Sequence, residues 1–218
     1  MEIQSNILTS IVVFDVNDSM EEVIRFFNDT THSHVAVVEE NRFLGLLTEN
    51  DVENFEVDTV INDYRYNLES FFVRKETLWL DVLEIFARNS ANLVPVLDDK
   101  EAVTGYYDLS DVMSVFIETP FFAEPGGILV VEKGVRDYAF SEIAQIVETN
   151  NGKLIGAFIT ALENDMVQIT LKISSTDLNE VTQTFRRYSY NILFGNSDDQ
   201  FLENLKQRSE YLDKYLNV

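Results

Sequence analysis

Val16–Val52 reads VNDSMEEVIRFFNDTTHSHVAVVEENRFLGLLTENDV, and Val73–Val112 reads VRKETLWLDVLEIFARNSANLVPVLDDKEAVTGYYDLSDV. The two stretches follow one grammar. Ser19 falls on Thr77, Ala36 on Pro95 and Gly45 on Gly105. In each, a hydroxyl residue (Ser19, Thr77) stands where its oxygen can accept from an orphan amide of a first helical turn. An amphipathic helix follows, carrying Val23, Ile24, Phe26 and Phe27 in the first copy and Val82, Leu83, Ile85 and Phe86 in the second. Then come an apolar strand (His34–Val38; Leu93–Leu97), a turn (Glu39–Arg42; Asp98–Glu101) and a second strand (Phe43–Leu47; Ala102–Tyr107), and Asp51 or Asp111 opens a closing helix. Units this small bury too little to be comfortable alone, so the repeat predicts one pseudo-symmetric domain.

Gly45-Leu46-Leu47-Thr48-Glu49-Asn50-Asp51 fits the pattern Gly-h-h-Thr-x-x-Asp, where h is apolar. Gly105-Tyr106-Tyr107-Asp108-Leu109-Ser110-Asp111 fits it except that Asp108 replaces the Thr. Leu93-Val94-Pro95-Val96-Leu97-Asp98 is an apolar-Pro-Val strand ending in Asp, and Ser33–Val38 is its counterpart without Pro. On these motifs each unit resembles the CBS domain. The pair resembles a Bateman module, with a first CBS unit over 1–60 and a second over 61–119.

Beyond it the grammar changes. The stretch 120–127 holds Pro120, Pro125 and the Gly126-Gly127 pair, residues that punctuate structure, and reads as a linker. Ile128–Val131 is β-rich and Gly134 marks a turn. Tyr138–Thr149 has a helical period, and Lys153–Ala161 and Met166–Ile173 read as strands. Asp177 can cap a helix carrying Leu178, Val181 and Phe185, and Tyr190–Phe194 closes the series. The order β-α-β-β-α-β is ferredoxin-like. It resembles an ACT domain over 128–196, and the combination is similar to proteins of the acetoin-utilisation B type. Residues 197–218 place Phe201, Leu202, Leu205, Leu212, Tyr215 and Leu216 on one face of a C-terminal helix that needs a surface to cover. The expected class is therefore α+β.

Composition narrows the function. The chain has 218 residues, no Cys and two His, which excludes disulfides, thiolate metal sites and Cys nucleophiles. Its net charge is −22, which repels nucleic acid and anionic lipid. Thirteen acidic and two basic residues fall within 1–60. No secretory signal opens the sequence and no apolar run reaches membrane-spanning length, so the expectation is a cytoplasmic protein with neither membrane nor nucleic-acid partner. P-loop, G-x-G-x-x-G and G-x-S-x-G motifs are absent, and no enzyme activity is expected.

The resemblance implies an adenosine-containing ligand (AMP, ADP, ATP, NAD or S-adenosylmethionine) in the CBS cleft, with or without Mg²⁺. Asp51 would take the ribose hydroxyls, Thr48 would stand beside the phosphate, and the backbone of Val35, Ala36 and Val37 would read the adenine. Thr48 and Asp51 equally suit plain helix capping. Asp111, Val94 and Pro95 are the second unit's equivalents. Asp108 there sets a carboxylate where a phosphate would approach, so the second site takes a less charged ligand, uses a bridging cation, or is dead. A phosphate at the first site would have to borrow Arg65, Arg74 or Lys75. His32 and His34, two apart on a strand, are too few for a metal site on their own. The turn at Gly134 and Val135 corresponds in ACT domains to an amino-acid effector turn, and it also reads as a simple tight turn. Two functions stay open: a regulatory protein sensing an adenosine ligand, and a dimeric scaffold with degenerate sites. Both carry the expectation of a homodimer, as the resemblance implies.

Overall fold

The computed structural model describes residues 3–174 and 178–195. The expected C-terminal helix, 197–218, and the Asp177 cap lie outside the described residues. The chain divides into two compact units, Met1–Ile117 and Glu118–Val218. The fold is mixed α+β.

The first unit contains the repeat. Its first copy runs β1 (Phe14–Asp15), α1 (Met20–Asp29), β2 (His34–Glu39), β3 (Arg42–Thr48) and α2 (Glu49–Val52). The second runs β4 (Val73–Arg74), α3 (Trp79–Arg88), β5 (Leu93–Leu97), β6 (Val103–Asp108) and α4 (Leu109–Ile117). Each builds a three-stranded sheet, ordered β1-β2-β3 and β4-β5-β6, with its first pair parallel and its second antiparallel. His34 lies opposite Thr48, and Leu93 lies opposite Asp108, so the two ladders share one register.

The equivalence at the helix starts shifts by one from the expected alignment. Ser19 does cap α1, its Oγ accepting the Glu22 amide at 3.4 Å. Thr77 does not cap α3: it accepts the Arg74 amide at 3.0 Å, as Asp18 accepts the Asp15 amide at 2.7 Å in the first copy. Leu78 occupies the cap of α3 without a side-chain bond. The structural partner of Thr77 is therefore Asp18. Both close the strand-to-helix turn.

Gly45 and Gly105 have a common cause. A Cβ on Gly45 would stand 2.7 Å from Leu68 Cβ and 2.8 Å from the Glu69 carbonyl. One on Gly105, whose φ is +154°, would stand 2.6 Å from the Leu8 carbonyl. The segment preceding each copy crosses the last strand of the other, Leu8 bridging to Tyr106 and Glu69 to Leu46. Only glycine admits backbone that close.

The interior of the first copy is Phe14, Met20, Val23, Phe27, Val35, Val37 and Leu47, packed between strands and α1. Ala36 and Leu46, which alternate to the opposite face, join the cluster of the second copy with Val94, Val96, Tyr106 and Val112. Strand β2 is thus apolar on both faces, which explains its unbroken run HVAVV.

The second unit opens with α5 (Pro120–Ala123), a single turn inside the stretch expected to be linker. Then come β7 (Gly127–Gly134), α6 (Phe140–Thr149), β8 (Lys153–Glu163), β9 (Met166–Ser174), α7 (Leu178–Arg187) and β10 (Asn191–Phe194). The sheet is ordered β10-β7-β9-β8 and every pair in it is antiparallel. This is the ferredoxin-like arrangement expected from the element order. Leu129, Val131, Ile169, Leu171 and Ile173 meet Ile143, Val147, Val181 and Phe185 of the helices in one core. Strand β7 runs on to Gly134, three residues further than the apolar run suggests.

Candidate ligand-binding site in the first unit

The site residues gather where β2, β3 and α2 meet. Thr48 is buried, and its hydroxyl accepts the Asp51 amide at 3.1 Å as the N-cap of α2. The capping role is therefore real, and it uses one lone pair of the hydroxyl while leaving its O–H able to donate. Asp51 is half-buried, and its carboxylate makes no hydrogen bond or ion pair among the described residues. It is the weakest of the influences that act on the buried His34 ring.

His34 is 5% exposed. Its Nδ1 meets Ser33 Oγ at 2.7 Å, its Nε2 lies 3.3 Å from Glu69 Oε2, and its ring stands edge-on to Phe71. Burial lowers its pKa, against the opposing pull first of Glu69 and then of Asp51, so the neutral imidazole is favoured. His32 instead stacks on Phe26, so the two histidines serve different neighbours. Among the described residues no three His, Asp or Glu side chains gather as a metal site would.

Ser33 also joins the copies. Its amide and hydroxyl both donate to Asn92 Oδ1 (2.8 and 3.0 Å), while the Asn92 amide donates to Ser33 Oγ (2.9 Å). The Ser33 and Asn92 carbonyls accept the equivalent amides of Glu49 and Leu109. This reciprocal lock had no sequence signal beyond the offset of the repeats.

The expected adenine walls are closed. Val35, Ala36, Val37 and Val94 have no exposed surface, and Pro95 is buried. The Ala36 amide donates to the Tyr106 hydroxyl at 3.1 Å, and that hydroxyl donates to the Val12 carbonyl at 2.8 Å. A base could read Ala36 only by displacing Tyr106. Two cavities in this unit, of about 530 Å³ beside Phe27, Glu49 and Val52 and about 410 Å³ beside Lys75, Asp98 and Thr104, are lined by none of the expected ligand residues.

In the second copy, Asp108 accepts the Ser110 amide at 2.7 Å, so the carboxylate takes over the capping duty of the missing Thr. Asp111 is half-buried, with no bond to its carboxylate among the described residues. The Tyr107 hydroxyl is buried without a hydrogen-bond partner among the described residues.

Two of the three cations a phosphate could borrow are committed. Arg65 forks onto Glu39 with bonds of 2.9 and 2.7 Å, and Arg74 donates to the Asp98 carbonyl at 2.7 Å while lying over Phe72. Lys75 is exposed on the rim of the smaller cavity.

Residues 5–57 match the family described as CBS domain. The first copy carries that CBS-domain match. The match spans the capped α1, the strand pair and the Thr48–Asp51 junction, and the second copy reproduces the CBS topology in register. Among solved structures, similar folds include a CBS domain pair/ACT domain protein from Thermotoga maritima (18% identity, 54% of this chain and 98% of that one, TM-score 0.48). Another is the CBS pair domain of a putative Mg²⁺ transporter from Shewanella oneidensis (20%, 54% and 70%, TM-score 0.48). A third is the cytosolic domain of the Mg²⁺ channel MgtE in complex with ATP (24%, 50% and 46%, TM-score 0.44). A search of curated proteins gives no match.

The expected effector turn of the second unit is differently built. The Val135 amide donates to the Asp165 carbonyl at 2.9 Å, and the Gly134 carbonyl accepts from Asp137 and Tyr138. Gly134 is a strand end, not a left-handed turn residue: its φ lies outside the positive region. No helix in the described residues is long and apolar enough to cross a membrane.

Proposed function

We propose that the first unit is a non-catalytic regulatory module holding an adenosine-containing ligand at the junction of β2, β3 and α2. The observation that carries this is the Asp51 carboxylate, half-buried, anchored through its own amide and free of any side-chain partner. A carboxylate so placed accepts two hydrogen bonds from the vicinal hydroxyls of a ribose. Its surroundings are acidic: Asp51 with Glu69 and Glu49, a neutral His34, and arginines already paired elsewhere. That field disfavours an unescorted phosphate and favours a neutral or cationic adenosine compound. S-adenosylmethionine therefore precedes AMP, ADP, ATP and NAD, and phosphates enter with Mg²⁺.

Thermal melts with these five compounds, each with and without Mg²⁺, test the reading. A ligand at 100 times its Kd adds about 2.7 kcal/mol of stability, a shift of several degrees. S-adenosylmethionine should shift the melt most, and Asp51→Ala should remove the shift while Asp111→Ala leaves it. Loss in Asp111→Ala alone would move the site to the second copy.

A flat panel supports the second reading, a scaffold with degenerate sites. The specific observation on its side is the closed strand: Val35–Val37 wholly buried, with the Ala36 amide engaged by Tyr106.

A further inference from the structure

The larger cavity of the first unit, about 530 Å³, opens between α1, the short α2 and the segment that follows α2. Ile24 and Phe27 of α1, with Val52 and Phe55, give it apolar walls, and Glu49 and Glu53 are its only charged lining residues. A volume of this size, mostly apolar with a few polar groups, is what small-molecule sites offer. The two glutamates are four residues apart. The Glu53 amide donates to the Glu49 carbonyl at 3.4 Å, so their side chains share one face of a single helical turn. Like charges in that relation repel. Neither carboxylate has a hydrogen-bond or ion-pair partner among the described residues, and no basic side chain lines the cavity.

The second copy of the repeat shows the same helix pair without these features. The helix starts and the sheet register put Leu109, Met113 and Ala87 where the first copy has Glu49, Glu53 and Asn28. There α4 runs for nine residues where α2 has four, and Phe116, near its end, stands 5.2 Å from Trp79 at the start of α3. Leu83, Leu109 and Val115 pack on that copy's core. The first copy stops its helix, leaves the space open and sets two acids on its rim. The repeat's own fold needs neither the opening nor the acids, since its partner is built without them.

We propose that this cavity is a second ligand site, taking a small organic cation with an apolar body, an aromatic amine being the simplest case. The body lies against Ile24, Phe27, Val52 and Phe55, and the ammonium enters between Glu49 and Glu53, relieving their repulsion. The rings of Phe27 and Phe55 add attraction for a cation. The occupant follows from charge complementarity: thirteen acidic residues against two basic ones over 1–60 draw cations to this surface and repel anions. The site is independent of the adenosine reading, because neither Thr48 nor Asp51 lines the cavity.

The test compares tryptamine with indole-3-acetate, one apolar body carrying opposite charges, by calorimetric titration into the full chain up to millimolar concentration. Tryptamine should bind at least tenfold more tightly than indole-3-acetate. The double variant Glu49→Gln with Glu53→Gln should weaken tryptamine at least tenfold and erase the preference. Both positions are exposed, so the variant should keep its fold, and a melting temperature no lower than the parent's checks this. Val57→Trp, at a rim position 49% exposed, fills the opening without touching the core and should abolish binding. Equal affinity for the two probes, no binding of tryptamine, or binding indifferent to these variants would overturn the proposal. Two further results would overturn it by naming another occupant. If Val57→Trp lowered the molar mass in light scattering, another molecule of this chain would cover the cavity. If tryptamine bound only after deletion of 198–218, that segment would fill it.

Discussion

His34 shows how one position can report on the whole junction. It is buried between Ser33, Glu69 and Phe71, and burial holds its pKa below the usual 6.5. Between that lowered value and 6.5 the unfolded chain binds a proton the folded chain does not, so stability rises with pH across the window. The contribution is complete above about 6.5 and is lost as pH falls through the folded value. Denaturant titrations from pH 7.5 to 5 should show this slope, and His34→Gln should flatten it; an unchanged slope would remove His34 as its source. Tyr106 makes a stability argument instead. Its hydroxyl serves the buried Ala36 amide and the Val12 carbonyl, and burial pushes its pKa up. Tyr106→Phe leaves the amide unsatisfied and should cost about 1–3 kcal/mol in urea unfolding. Neither role was legible beforehand: the histidine read as a strand residue or a thin metal candidate, and the tyrosine only as an apolar position of the closing motif. Hydrogen bonds across 70 or 94 positions leave no local trace.

The repeated elements were far more legible, because periodicity and capping act over a few residues. Strands β2, β3, β5 and β6 and helices α1 and α3 stand where the alternation and the 3.6-residue period put them. The glycines of the closing motifs were visible as letters, but their cause was not. They admit Leu68–Glu69 and Ile7–Leu8, segments from outside each copy's own hairpin. Gly105→Ala, which adds a strained φ to a 2.6 Å approach on backbone, should destabilise the first unit by about 1–3 kcal/mol or more. Gly45→Ala meets the Glu69 carbonyl at 2.8 Å without a positive φ, and should cost less than Gly105→Ala. Equal costs in paired urea titrations would mean the φ contributes nothing. The α2 and α4 helices differ for a reason sequence only half disclosed: Thr48 and Asp108 both cap, yet α2 stops after one turn while α4 continues along Val112, Val115 and Phe116.

Across the molecule, charge is the governing quantity. Thirty-eight acidic residues against sixteen basic ones create self-repulsion that the exposed Arg25–Glu21, Arg65–Glu39 and Arg88–Glu84 pairs offset only slightly. Raising NaCl from 10 to 150 mM shortens the screening length from about 30 to about 8 Å. The melting temperature should therefore rise with salt, and a fall would mean that attractive pairs outweigh the net charge. Composition, repeat and motif by themselves determined the class of fold, the CBS grammar of the first unit, the strand–helix order of the second, and the acidity that any ligand must meet. Each of these is carried by neighbours in sequence or by sums over the chain. Only the tertiary structure decided that β2 is buried on both faces, that Tyr106 occupies the Ala36 amide, that Arg65 and Arg74 are committed, and that β8 is an edge. Those depend on which distant segments come into contact. A buried group's partners, its protonation and its access to ligand are properties of that contact, since desolvation and hydrogen bonding act through space and not along the chain.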